Sequence, residues 1–316
     1  SFSLWWIGMG HDYWMYRGDE AYLKTLLPAH RNILSWYEQW LRPDYTLSHI
    51  PYWFFADWSE GFPNGEPIRE KEGNSAFQDL LYLMMLDRSG EMENTFGNPD
   101  IARHYQRIAS EIRKRFKQKY WDAERGLFAD TFDHHSFSQH VNSMAVIAGI
   151  VKGEEAATVM DKALSDGDLI QATIYFRYYV HQALAKAGKG DELLDNLKIW
   201  KEQMDLGVTT WAEEPEPSRS DCHAWGASPN IELFRILLGI DSDAPGFSKV
   251  RIAPALGALK EASGKMPHPK GEIAVSYKII DGKLNARVSL PHGINGTFYW
   301  KGEEVPLHGG EQTLIF

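Results

Sequence analysis

The spacing of apolar residues changes once along this chain, and that change limits the folds open to it. From residue 4 to residue 239 apolar side chains recur at helical spacing. After the turn signal DAPG at 243–246 they alternate, as in strands with one buried face. Asp281–Gly282, set between two alternating runs, is a hairpin signal. The spacing predicts a mainly α chain: a helical domain over residues 1–243 followed by a small all-β domain over 244–316.

The helical part reads as about nine helices. They cover 4–17, 20–42, 74–88, 99–120, 136–151, 153–165, 170–188, 191–204 and 223–239, joined mostly by short turns. The first is apolar nearly all round and belongs inside a helical assembly. Strands are expected at Lys249–Ile252, Glu272–Ile280, Lys283–Leu290, Thr297–Trp300 and Gln312–Phe316.

Two long loops interrupt the helices. Residues 44–72 gather Tyr52, Trp53, Phe54, Phe55 and Trp58 around Asp57 and Glu60. A loop of that length in a compact domain is usually functional. The second, TTWAEEPEPSRSDCHAWGASP at 209–229, carries Glu213, Glu214 and Glu216 between prolines that exclude helix, followed by His223 and Trp225. A carboxylate can activate water, a histidine can hydrogen-bond hydroxyls, and an indole can stack on a sugar ring. An acidic surface loop would look similar. The aromatic content of 13% argues for the sugar site, because flat rings serve carbohydrate clefts as well as cores.

A formal net charge of −10 argues against nucleic-acid and anionic-membrane partners. No apolar run reaches the roughly 18–20 residues that cross a bilayer. The single cysteine, Cys222, excludes an internal disulfide and suits either a bacterial cytoplasm or a periplasm. No His, Cys or carboxylate spacing makes a metal set, and no nucleotide loop is present, so no cofactor is expected.

The ordered series SFSQHVNSMAVIAGIV, IQATIYFRYYVHQALAKAG, TTWAEEPEPSRSDCHAWGASP and APGFSKVRIAPAL, then a β tail, resembles the C-terminal half of bacterial α-L-rhamnosidases of glycoside hydrolase family 78. The resemblance covers nearly the whole chain. It implies the later part of an (α/α)6 barrel, incomplete at its N-terminal side, followed by a C-terminal β-sandwich. It implies an inverting enzyme that removes terminal α-L-rhamnose from a glycan or glycoside. The family's base, three residues beyond the second threonine, falls on Glu213, with Glu214 an adjacent competitor. His223 and Trp225 match the segment that holds the rhamnose. Asp57 and Trp58 match a loop lining the sugar pocket, and Trp53 belongs to the wall that would face the sugar methyl group. The acidic, arginine-rich segment that carries the family's general acid has no counterpart here. The expectation is therefore that the acid lies upstream of Ser1, in the remainder of a longer enzyme, and that this chain alone is inactive. Two other readings stand beside it. One is a different barrel sugar enzyme: an unsaturated glucuronyl hydrolase, or an epimerase using His181 and His223. The other is a non-catalytic glycan-binding fragment.

Overall fold

The computed structural model describes all 316 residues. Its contacts divide the chain into two compact units. One comprises Ser1–His11, Glu20–Gly188 and Glu202–Gly226, the other Asp12–Asp19, Lys189–Lys201 and Ala227–Phe316.

The first unit is helical. It holds the start of α1 (Phe2–Arg17) and all of α2 (Glu20–Glu38), α3 (Ala76–Phe96), α4 (Pro99–Tyr120), α5 (Gln139–Ile147), α6 (Gly153–Ser165) and α7 (Ile174–Lys186). A two-residue pair, β1 (Trp121–Asp122) and β2 (Leu127–Phe128), closes the turn after α4. The end of α8 (Lys198–Asp205) also belongs here.

The helix α3 is the centre of this unit. Every residue from Ala76 to Leu86 is buried, and α2, α4 and α5 pack on it. The helix runs past the expected end at Arg88 to Phe96, where Gly97 stops it. By contrast, α4 is amphipathic and well bounded. The Asn98 side chain accepts from the Asp100 N–H at 2.9 Å, Pro99 opens the first turn, and Lys117 and Lys119 lie in the last. Its buried stripe includes Tyr105, Ile108, Ile112, Phe116 and Tyr120. In turn, α5 packs against α6 and α7.

Two of the expected helices are broken. Residues 191–204 begin as 3-10 turns before α8, and 223–239 form a 3-10 turn at Ala224–Ala227, a short α9 (Ser228–Glu232) and a π turn at Leu233–Leu237.

The second unit is a β-sandwich of two four-stranded sheets. One sheet orders β3 (Ile240–Ala244), β4 (Lys249–Ile252), β8 (Asn295–Trp300) and β9 (Glu303–Leu307), with β4 and β8 parallel. The other orders β10 (Gly310–Ile315), β7 (Lys283–Leu290), β6 (Gly271–Ile280) and β5 (Glu261–His268), all antiparallel. The Asp281–Gly282 hairpin is present, with φ of 51° and 79° at its two residues, the sign a tight primed turn requires. Ile252, Val275, Tyr277, Val288, Phe298 and Leu307 fill the core. Strand character begins at Ile240, directly after Gly239, whose φ is 72°. The Ala253 N–H donates to the Gly239 carbonyl at 2.9 Å. Three strands escaped the reading by alternation: β3, β5 and β9. Each is a sheet edge, where Pro267 and Pro306 are tolerated because one side of the strand has no ladder to complete.

Candidate active site

The 209–226 loop is zipped to itself. The Glu213 N–H donates to the Ser220 carbonyl at 2.8 Å and the His223 N–H to the Trp211 carbonyl at 2.6 Å. The Trp225 indole N–H donates to the Glu213 carbonyl at 2.7 Å. Gly226 lets the strands of the loop meet, since a Cβ there would fall 2.6 Å from the Ala212 carbonyl oxygen. These bonds draw Glu213 inward until it is 1% exposed, while Glu214 stays half-buried and Glu216 exposed.

The Glu213 carboxylate meets three groups from two loops. The Trp58 indole N–H donates to Oε1 at 3.0 Å. Arg219 donates from Nε to Oε2 at 3.0 Å and from Nη2 to Oε1. His223 Nδ1 lies 3.8 Å from Oε2. The Arg219 hydrogen bonds hold the carboxyl below the usual carboxylate range; burial opposes them, and Trp58 and the charges of Arg219 and His223 add to them. Glu213 is therefore ionised at neutral pH.

Trp58 is aimed by the residue before it. Asp57 is fully buried, and both its oxygens are taken by protein donors. Oδ1 accepts from the Trp58 N–H at 3.0 Å and the Thr173 hydroxyl at 2.5 Å. Oδ2 accepts from the Thr173 N–H at 2.6 Å and His140 Nε2 at 2.9 Å, while the Ser59 hydroxyl, 3.1 Å away, is closer to the Gln171 carbonyl, at 2.7 Å. Thr173 is the residue that opens α7, and His140 lies in α5. One carboxylate thus fastens the aromatic loop to two helices of the unit.

Rings surround this point. Phe55 stacks on Trp225 with centroids 5.8 Å apart and planes within 12°. Trp225 also meets His223 at 4.1 Å and Tyr175 of α7 at 5.0 Å. Trp58 touches Phe55 at 5.0 Å and Trp53 at 6.3 Å. Trp53 is 53% exposed, yet its indole N–H is fixed on the Asn64 carbonyl at 2.9 Å.

The structure places Trp53, Trp58, Glu213, His223 and Trp225 in one connected cluster, with Asp57 directly behind it. Arg219, Tyr175 and His140 were not singled out in the sequence. Arg219 lies within the quoted loop, but no periodicity marks it. Tyr175 and His140 sit on helices whose apolar pattern suggests only packing. No group of three His, Cys, Asp or Glu side chains is arranged to hold a metal ion. No helix is long and apolar enough to cross a membrane.

Residues 3–236 match the family model of the bacterial alpha-L-rhamnosidase 6 hairpin glycosidase domain, and residues 239–314 that of the bacterial alpha-L-rhamnosidase C-terminal domain. An alpha-L-rhamnosidase of Alteromonas sp. (strain LOR) is 21% identical over 91% of this chain and 33% of its own length. Among solved structures, a family 78 rhamnosidase of Bacillus sp. GL1 superposes with a TM-score of 0.80 at 25% identity, over 95% of this chain and 34% of its own. An alpha-L-rhamnosidase of Dictyoglumus thermophilum superposes at 0.79 and 17% identity, over 99% of this chain and 39% of its own. The chain spans roughly a third of the length of these relatives.

Proposed function

This chain belongs to the bacterial α-L-rhamnosidases, and from that membership we propose that Glu213 activates the water that displaces an aglycone from terminal α-L-rhamnose. The observation that carries this reading is the contact of Glu213 with Trp58, a residue 155 positions away in sequence. An inverting hydrolase needs an ionised carboxylate on one face of the sugar, and a proton donor about 6.5–9.5 Å away on the other. Glu213 has the required charge, set by Arg219, Trp58 and His223. Trp58 and Trp225 supply flat apolar faces for the ring and for the methyl group of a 6-deoxy sugar, Phe55 packs behind them at 1% exposure, and His223 supplies a polar contact.

Asp57 takes a different part from the direct sugar contact expected of it. Four protein donors saturate it, so it positions Trp58 and is not available as the acid. We place the proton donor in the part of the relatives' length that this chain does not span. We keep the division into a catalytic barrel portion and a C-terminal domain, but the strand at Ile240, which belongs to the sandwich, favours a boundary a few residues before the expected 243. An epimerase would need paired pocket histidines, and His181 is fully buried in α7.

The test is Glu213→Gln in the full-length protein, assayed on an aryl α-L-rhamnoside. Loss of the base lowers kcat by about 10²–10⁴ or more while binding of rhamnose persists. Glu214→Gln loses far less. Equal, small effects of both substitutions would remove Glu213 from the mechanism. Because the pKa of Glu213 is depressed, by the Arg219 hydrogen bonds first, the acidic limb of kcat/KM lies below the ordinary glutamate range.

A further inference from the structure

Rhamnose is neutral and needs no cation for its recognition, yet a guanidinium stands on the catalytic carboxylate. Arg219 is 65% exposed along its side chain, and its head lies 5.1 Å from the centre of the Trp58 ring. An ionised carboxylate offers about four lone-pair positions. Trp58 and the two Arg219 bonds use three of them on Glu213. The same guanidinium covers a face of the ring proposed to carry the sugar. In the resting state Arg219 therefore crowds the positions open to water and sugar.

The planar fork of an arginine matches a carboxylate with two parallel bonds, and a second carboxylate offers the same pair of bonds. The side chain is solvent-exposed and is held at its head by Glu213 and Trp58. Beside Trp58 stands Trp53, more than half exposed and locked by its bond to Asn64, a rigid face for a second sugar ring.

We propose that Arg219 is a specificity residue that leaves Glu213 to pair with the carboxylate of a hexuronic acid attached to the rhamnose, stacked on Trp53. This rests on the rhamnosidase reading above. The exchange also couples binding to chemistry. Once the guanidinium has left, Glu213 regains basicity, because the largest influence depressing its pKa has gone.

The experiment compares kcat/KM of the full-length protein on an α-L-rhamnosyl hexuronate and on its uncharged methyl ester, with an aryl α-L-rhamnoside as reference. The wild type should favour the acid over the ester by 10-fold or more, and the ratio should shrink as salt rises from 0.05 to 0.5 M, on the order expected for an exposed pair. In Arg219→Ala the ratio should fall to near 1, and Arg219→Lys, which keeps the charge without the fork, should fall between. The wild-type ratio needs no variant, so a poorly folding substitution does not blunt the test. An aryl rhamnoside that is cleaved while wild-type acid and ester react alike overturns this proposal alone. A ratio that survives in Arg219→Ala overturns it too. If none of the rhamnosides is cleaved, the rhamnosidase reading falls and this inference with it.

Discussion

Replacing Asp57 with asparagine tests the anchoring of the site sharply, because the amide cannot satisfy its surroundings in either orientation. Each carboxylate oxygen accepts from a backbone N–H, Trp58 on Oδ1 at 3.0 Å and Thr173 on Oδ2 at 2.6 Å. A backbone N–H is always a donor. Whichever way the amide turns, its NH2 group therefore faces one of them. The variant loses at least one hydrogen bond to a charged acceptor, about 1.5–3 kcal/mol, and leaves a buried donor unsatisfied, about 1–3 kcal/mol more. Part of these costs overlaps, so the expected loss is about 2–4 kcal/mol. At about 2–4 °C per kcal/mol for a domain of this size, Tm should fall by roughly 4–16 °C. Guanidinium denaturation followed by tryptophan fluorescence measures the loss directly, since Trp58 adjoins the substituted residue. Ser59→Ala, which removes the hydroxyl bonded to the Gln171 carbonyl at 2.7 Å and leaves the four donors on Asp57, should cost about 1 kcal/mol. An Asp57→Asn variant as stable as the wild type would refute the donor assignment. A variant of unchanged stability but abolished rhamnose binding would return Asp57 to the sugar.

Two other outcomes follow from buried features. Burial pushes the Asp79 carboxyl up to about 7 despite bonds from the Leu47 N–H and the Tyr120 hydroxyl. Between about pH 4 and 7 the unfolded chain then binds fewer protons than the folded one, so stability falls as pH rises. Asp79→Asn should lack this slope, and its stability relative to wild type should improve from pH 4 to pH 8 by on the order of 3–4 kcal/mol, read from denaturation midpoints; parallel curves would exclude it. Gly239→Ala should cost about 2 kcal/mol or more, because φ is 72° and the new Cβ would lie 2.2 Å from the Ala253 carbonyl carbon. A neutral result in urea denaturation would mean that the junction has another backbone path.

The sequence made the helical region, the sandwich and the two site loops legible through strong local signals. Helical spacing marks α4, alternation marks β6 and β7, and Asp281–Gly282 marks their turn. It failed at the edges. The strands β3, β5 and β9 each have only one neighbour, so charged residues, Gly264, Pro267 and Pro306 survive in them and blur the alternation. It failed again where a helix is stitched from 3-10, α and π turns between Ala224 and Leu237, since pieces of four or five residues are too short for their different periods to show in the sequence. The site residues were found as residue types, not as roles. Nothing local distinguishes a carboxylate that touches sugar from one that four donors hold out of reach, as at Asp57. The pairing of Arg219 with Glu213 arises because the loop closes on itself through the Glu213–Ser220 and Trp211–His223 bonds, which no spacing rule encodes.

The adjacency of Asp57 and Trp58 has a consequence for how such a chain can diversify. The aromatic loop is riveted at one residue, and the next residue holds the base. The flanks, with exposed Tyr52 and Trp53 on one side and Glu60 on the other, can change without shifting the rivet. Selectivity and turnover are then mechanically separable. A library varied at 52, 53 and 60 should retain folded, competent members across many aglycone preferences, whereas one varied at 57 and 58 should lose function almost everywhere.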